Sequence, residues 1–215
     1  MTDGLWNRRR ILGATLALPL AGHAFAAQAP RLTPTARQTA GPFYPEIKPR
    51  DADSDLASVA GRNGRAAGEL AYLVGRVLDQ DGAAIAGARI EIWQCDARGH
   101  YHLRGEEVAA GADPNFQGYG AAVSGPDGTY RFRTIKPVPY PGRTPHIHAA
   151  VDAPGFPRLV TQIYLAGHAQ NERDNVLASV RDPVARAGLM VGFRPAPEIE
   201  AGALRGVFDI VLARG

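Results

Sequence analysis

A period of two constrains this chain more than anything else in it. Across Thr129–Ile135, Tyr130, Phe132 and Thr134 alternate with Arg131 and Arg133, directly after the turn pair Asp127-Gly128. Successive side chains of a strand point to opposite faces, so this pattern asks for a strand covered on one side and wet on the other. Leu73–Leu78 reads the same way and runs into the turn Asp79-Gln80-Asp81-Gly82, and Ala88–Gln94 alternates apolar residues again. Further strands are expected at Ile147–Val151, Leu159–Leu165 and Val207–Leu212. Short strands punctuated by turn residues define an all-β chain, and a β-sandwich above other arrangements. One or two short helical pieces are expected between Glu172 and Leu189, where Asp182-Pro183 offers a cap and a first helical residue. The 25 glycines and 17 prolines suit such a turn-rich fold better than a helical bundle. No internal repeat or low-complexity tract interrupts it.

At 215 residues the chain fits one domain with a sizeable core, a leader and some long loops. Residues 1–26 read as an export signal peptide. Asn7-Arg8-Arg9-Arg10-Ile11-Leu12-Gly13 resembles the twin-arginine signal, a short apolar stretch follows, and Ala24-Phe25-Ala26 supplies a small-x-small cleavage pattern. The apolar stretch is too short for a stable membrane span, although an uncleaved anchor is the alternative. The expected destination is the periplasm or the exterior, with no membrane contact after processing. Residues 27–69, rich in Pro, Ala, Gly and charge, read as an extended arm or linker, and residues 70–215 as the β-sandwich domain. The net charge of +3 sits partly in the leader and no basic stripe appears elsewhere, which argues against a nucleic-acid partner. The one cysteine, Cys95, can form no intramolecular disulfide, and its apolar run makes a buried, inert thiol the expectation.

The chemistry concentrates in Pro145-His146-Ile147-His148. Residues i and i+2 of a strand share a face, so both imidazoles converge on one point. Neutral imidazoles side by side suit a metal, while two surface histidines on a sheet are the plainer reading. Just upstream, prolines on both sides of Tyr140 fix its backbone and so aim its phenol. A phenol with an ordinary pKa of ~10 ligates only a hard, strongly charged cation, which favours iron(III) over Zn²⁺. No third histidine or carboxylate completes a facial triad nearby.

Several segments together resemble the intradiol ring-cleavage dioxygenases. They are Glu91–Asp96 with Gly99-His100-Tyr101, Asp113–Gly118, Asp127–Pro141, Arg143–His148 and Leu159–Gln162, in order and spread over nearly half the chain. The resemblance implies a prealbumin-like β-sandwich with long loops and an extended N-terminal arm. It also implies one Fe(III) per chain, held by Tyr101, Tyr140, His146 and His148. By the same likeness Arg143 and Gln162 are catalytic, and Tyr140 is the ligand that gives way to substrate. The implied partners are a catechol-type small molecule and O₂, the product a muconate-type diacid. Gln38–Pro45 is similar to a pocket-lining stretch in that family, so Thr39 and Tyr44 are candidate substrate contacts, in cis or in trans within a homo-oligomer. Packing of the arm is the alternative for both. Gly142 borders the pocket where the family's loop is longer, which leaves the preferred ring open. A prealbumin-like binding module without activity, and a Zn²⁺ hydrolase on the same fold, are the rivals.

Overall fold

The computed structural model describes residues 31–102 and 110–215; the export signal expected over 1–26 lies outside them. Among the described residues ten strands form two five-stranded sheets. They are β1 (Leu70–Asp79), β2 (Arg89–Trp93), β3 (Tyr119–Val123), β4 (Thr129–Ile135), β5 (His146–Asp152), β6 (Leu159–Leu165), β7 (Met190–Val191), β8 (Phe193–Pro195), β9 (Leu204–Val207) and β10 (Ile210–Leu212). A 3₁₀ turn (Ala169–Arg173), α1 (Asn175–Ala178) and α2 (Pro183–Ala187) fill the connection after β6. Asp182 caps α2 by accepting hydrogen bonds from the amides of Val184 and Ala185, as the Asp-Pro pair predicts.

In the first sheet β1 is central. It pairs with β4 antiparallel on one edge, and with β9 and then β10 in parallel on the other. Of the strand expected at Val207–Leu212, Val207 is the last residue of β9, which begins three residues earlier than expected, and Ile210–Leu212 form β10, because the backbone breaks step at Phe208 and Asp209. The Phe208 carbonyl there accepts a hydrogen bond from the Tyr130 hydroxyl (2.6 Å), and the Arg76 amide is answered by the Asp209 side chain (2.8 Å). Gly75 makes this possible, since a Cβ at that position would overlap the Phe208 carbonyl.

The second sheet has the order β3-β2-β5-β6-β7, so β5 lies at its centre. Odd-numbered β5 residues Ile147, Ala149 and Val151 enter the core between the sheets, together with Ile90 and Ile92 of β2 and Leu73 and Phe132 of the facing sheet. His146 and His148 therefore project from the opposite, outer face. The strands β3, β7 and β8 were not expected. Tyr119-Gly120-Ala121-Ala122 alternates nothing that a period-two reading detects, and the other two are two and three residues long.

The division expected at residues 69 and 70 does not separate two bodies. Leu56, Ala57 and Ala66 are buried in the main core, and the segment around Asp55 bonds Arg133 of β4 and Ala121 of β3, closing one side of the sandwich. Farther upstream, Thr35 pairs with Val211 and Gln38 with Val160, so the arm crosses from β10 to the edge of β6. Next it passes over the outer face of the second sheet. There Ala40, Phe43 and Tyr44 pack against a second apolar cluster of Trp93, Cys95, Tyr101, Tyr119 and Ala150.

Candidate metal centre

The register sets the site. Trp93 of β2 faces His148 of β5, which faces Gln162 of β6, and His146 faces Tyr164 one row along. The His146 Nδ1 lies 2.7 Å from the Thr144 carbonyl, and a carbonyl only accepts, so Nδ1 carries the proton. That tautomer leaves the Nε2 lone pair free, pointing at the Nε2 of His148 3.2 Å away. His148 is stacked on the Trp93 indole, centroids 4.9 Å apart and nearly parallel, which fixes its ring plane. Burial pushes both imidazoles toward neutrality, His146 to about 4 and His148 well below its ordinary value, with Arg143 adding to the effect. Neutral imidazoles with inward lone pairs are the form in which histidine binds metals.

Two tight turns bring the phenols to the same place. Asp96, fully buried, accepts hydrogen bonds from the amides of Arg98, His100 and Asp113, and so folds the chain back immediately after β2. Gly99 occupies the left-handed position in that turn (φ +84°), and a Cβ there would sit 3.2 Å from that of Tyr140. Tyr101 follows and is buried, its ring stacked on Phe43 at 4.3 Å and edge-on to Tyr140 at 5.6 Å. The second turn runs Tyr140-Pro141-Gly142-Arg143, closed by the Arg143 amide donating to the Tyr140 carbonyl (3.0 Å). Proline followed by a glycine at φ +80° is the type II pattern. It returns the guanidinium over the phenol it has just passed, Nη1 to the Tyr140 oxygen 3.4 Å.

Burial raises the pKa of both phenols, and Arg143 opposes it in both. Among the described residues, neither the buried Tyr101 hydroxyl nor the buried Nδ1 of His148 has a partner at hydrogen-bond distance. An unanswered buried polar atom costs about 1–3 kcal/mol, so a partner for the Tyr101 oxygen is a real demand of this fold. Among the described residues no group of three His, Cys, Asp or Glu side chains is arranged to hold a metal ion. A cation bound here would thus take phenolates with the imidazoles, the donor set of a hard, highly charged ion.

The other sequence candidates fall in different places. Gln162 is fully buried, receives the Arg143 Nη2 at 2.5 Å and donates to the Thr39 carbonyl at 2.9 Å. Thr39 therefore meets the site through its backbone, while its hydroxyl accepts from the Gly41 amide. Tyr44 points elsewhere: its hydroxyl donates to Glu91 (2.7 Å) and its ring abuts the far side of Trp93. Gly142 is exposed at the turn. The arm makes all these contacts within its own chain. Three residues escaped the sequence reading. Phe43 lay within the Gln38–Pro45 stretch without being singled out. Trp93 marked a strand without a role. Asp174, which binds Arg143 Nε at 2.8 Å, carried a cap signal before Asn175 but nothing linking it to an arginine 31 positions away.

A mostly antiparallel sandwich carrying two phenols and two imidazoles on its outer face defines a class. The Dioxygenase_C (dioxygenase) family model matches residues 39–214, and the chain belongs to the intradiol ring-cleavage dioxygenases. Among its relatives is the protocatechuate 3,4-dioxygenase beta chain of Burkholderia cepacia, 38% identical over 168 residues, spanning 74% of this chain and 71% of that one. A hydroxyquinol 1,2-dioxygenase of Nocardioides simplex is 35% identical over 80% of this chain, but the match spans only 62% of that relative. Of solved structures, the dioxygenase domain of a dioxygenase–carbohydrate-binding protein fusion from Streptomyces sp. SirexAA-E superposes with a TM-score of 0.65 at 30% identity. It covers 85% of this chain and the whole of that one. Membership in this family removes the non-enzymatic binding module from consideration.

Proposed function

We propose that this protein is an exported, iron(III)-dependent intradiol dioxygenase that opens a catechol-type ring with O₂ to a muconate-type diacid. The observation that carries the reading is the convergence of two neutral imidazoles, through Nε2, beside the unpartnered hydroxyl of Tyr101 and the phenol of Tyr140. Tyr101, Tyr140, His146 and His148 would hold one iron(III). Bound there, the metal supplies the charge that ionises a vicinal diol and makes its ring reactive toward O₂.

The protein's own groups divide the remaining work. Tyr101 is buried and clamped by Phe43, which suits a ligand that stays. Tyr140 is only half-buried and rests on a turn, and its oxygen lies by Arg143, so it suits a ligand that leaves and takes up a diol proton. The Arg143 guanidinium, held toward Gln162, offers a fixed positive charge where the ring becomes electron-rich. Phe43 and Trp93 keep water from one side of the site. The diol and O₂ together contain every atom of the diacid, so no external reductant is needed.

The test is metal analysis combined with oxygen uptake on a panel containing catechol, hydroxyquinol and protocatechuate. Stoichiometric iron, visible colour and one O₂ consumed per diacid formed are expected. A protein that loads iron yet opens no diol on the panel, or one that hydrolyses with Zn²⁺ and consumes no O₂, refutes the proposal. The leader is tested separately: fractionation is expected to find the protein outside the cytoplasm, and Arg8→Lys with Arg9→Lys to retain it inside.

A further inference from the structure

The guanidinium of Arg143 sits in a cluster of polar contacts, and one member of that cluster is a carboxylate outside the donor set. Asp174, whose side chain is fully buried, accepts from Arg143 Nε (2.8 Å) and the Thr144 amide (3.0 Å) through Oδ2, and from the Leu177 amide (2.9 Å) through Oδ1. The cluster continues from Arg143 Nη2 to Gln162 Oε1. The Tyr164 hydroxyl stands 3.0 Å from that oxygen and 2.9 Å from Oε1 of Gln38. Gln38 Nε2 then donates to the Val176 carbonyl (2.8 Å), back in the helix that Asp174 caps.

Capping alone does not explain an aspartate here. A helix cap needs one acceptor oxygen, which serine, threonine or asparagine provides without a charge. A fully buried carboxylate is costly unless an opposite charge answers it, and the one that does is Arg143. A guanidinium is a planar fork, so anchoring Nε orients the two remaining nitrogens together. With Nε on Asp174, Nη2 meets Gln162 and Nη1 faces the oxygen of Tyr140.

We propose that Asp174 is a positioning residue for ring cleavage: through Arg143 it fixes the plane and direction of the guanidinium that faces Tyr140 and the incoming diol. The proposal rests on the role given to Arg143 under Proposed function. Asp174→Asn tests it, because the amide oxygen still caps α1 while the charge that holds Nε is gone. On the holoenzyme, kcat/KM is expected to fall on the order of 10²-fold, carried by kcat, the scale on which slight misplacement of a reacting group acts. In an Arg143→Ala background the same change should alter kcat/KM less than about threefold. Equal losses in both backgrounds, or none in either, overturn the proposal. If Asp174→Asn does not fold, Asp174→Ser, which also retains a capping oxygen, takes its place in the cycle. The crystal structure of the variant is a second readout that needs no turnover. Arg143 is expected to swing away from Gln162 with the 140–143 turn unmoved, and an arginine still seated there refutes the claim. Should the wild-type protein open no diol at all, Proposed function fails, and the crystallographic result alone decides the role of Asp174.

Discussion

Tyr101→Phe should change stability in opposite directions with and without metal. Among the described residues the buried hydroxyl has no partner at hydrogen-bond distance, while the ring beneath it is stacked on Phe43 at 4.3 Å and stays so in phenylalanine. Removing an unanswered hydroxyl relieves a desolvation cost of about 1–3 kcal/mol. For a domain of this size each kcal/mol shifts the melting temperature by about 2–4 °C. The chelated variant should therefore melt roughly 2–12 °C above chelated wild type. Iron(III) reverses the order, since a ligand present at 100 times its Kd adds about 2.7 kcal/mol to whichever protein binds it, and the variant has lost a donor. Scanning calorimetry of both proteins, with chelator and with iron(III), reads all four values. A chelated variant that melts below wild type would mean the hydroxyl has an internal partner after all. An equal iron-induced shift in both would remove Tyr101 from the ligand set.

The cluster of Arg133, Glu200, Tyr72 and Asp55 predicts an acid-side loss of stability. Arg133 holds the Glu200 carboxylate by two bonds of 2.8 and 2.9 Å, Tyr72 adds a third, and these lower its pKa to about 2. A depressed carboxylate stabilises the fold above its unfolded pKa of ~4.3 and loses that contribution as pH falls through about 2. Because Glu200 is 36% exposed the effect is on the order of 1 kcal/mol, so melting curves of wild type and Glu200→Gln should converge near the lower pH and in high salt. Cys95, 1% exposed and with burial pushing its thiol up to about 12, should react with an aromatic disulfide reagent only after unfolding; rapid native labelling would contradict its placement. Gly75→Ala, which drives a methyl group into the Phe208 carbonyl, should destabilise by roughly 3 kcal/mol or more, measured by urea unfolding.

Much of this was legible because the periods are local. β4 and β6 fall on the residues that their patterns mark, and the His-x-His pair declares a shared face without knowledge of its neighbours. Pro-Tyr-Pro-Gly-Arg writes out its own turn. What escaped depends on distance in the chain. Nothing near Leu56 announces that it plugs the gap between β3 and β4, because the reason lies in Gly120, where any Cβ would strike it. Tyr44 and Phe43 are adjacent, and only the fold decides that one tends Glu91 while the other clamps Tyr101. One Asp174 oxygen caps α1 locally, and the other finds Arg143 only in three dimensions.

The parallel pairing of β1 with β9 and β10 has a consequence for how the protein is made. A ribosome delivers the arm and β1 well before their partners: Thr35 waits for Val211, 176 positions later, and Val77 waits for Ile210. Gln38 likewise waits for Tyr164, 126 positions later. Contacts of such long range fold slowly and form only after both partners have been made. The pocket beneath the arm therefore cannot be finished before β10 is made, and a nascent chain stalled ahead of β10 would carry the histidines without the arm's outer anchor.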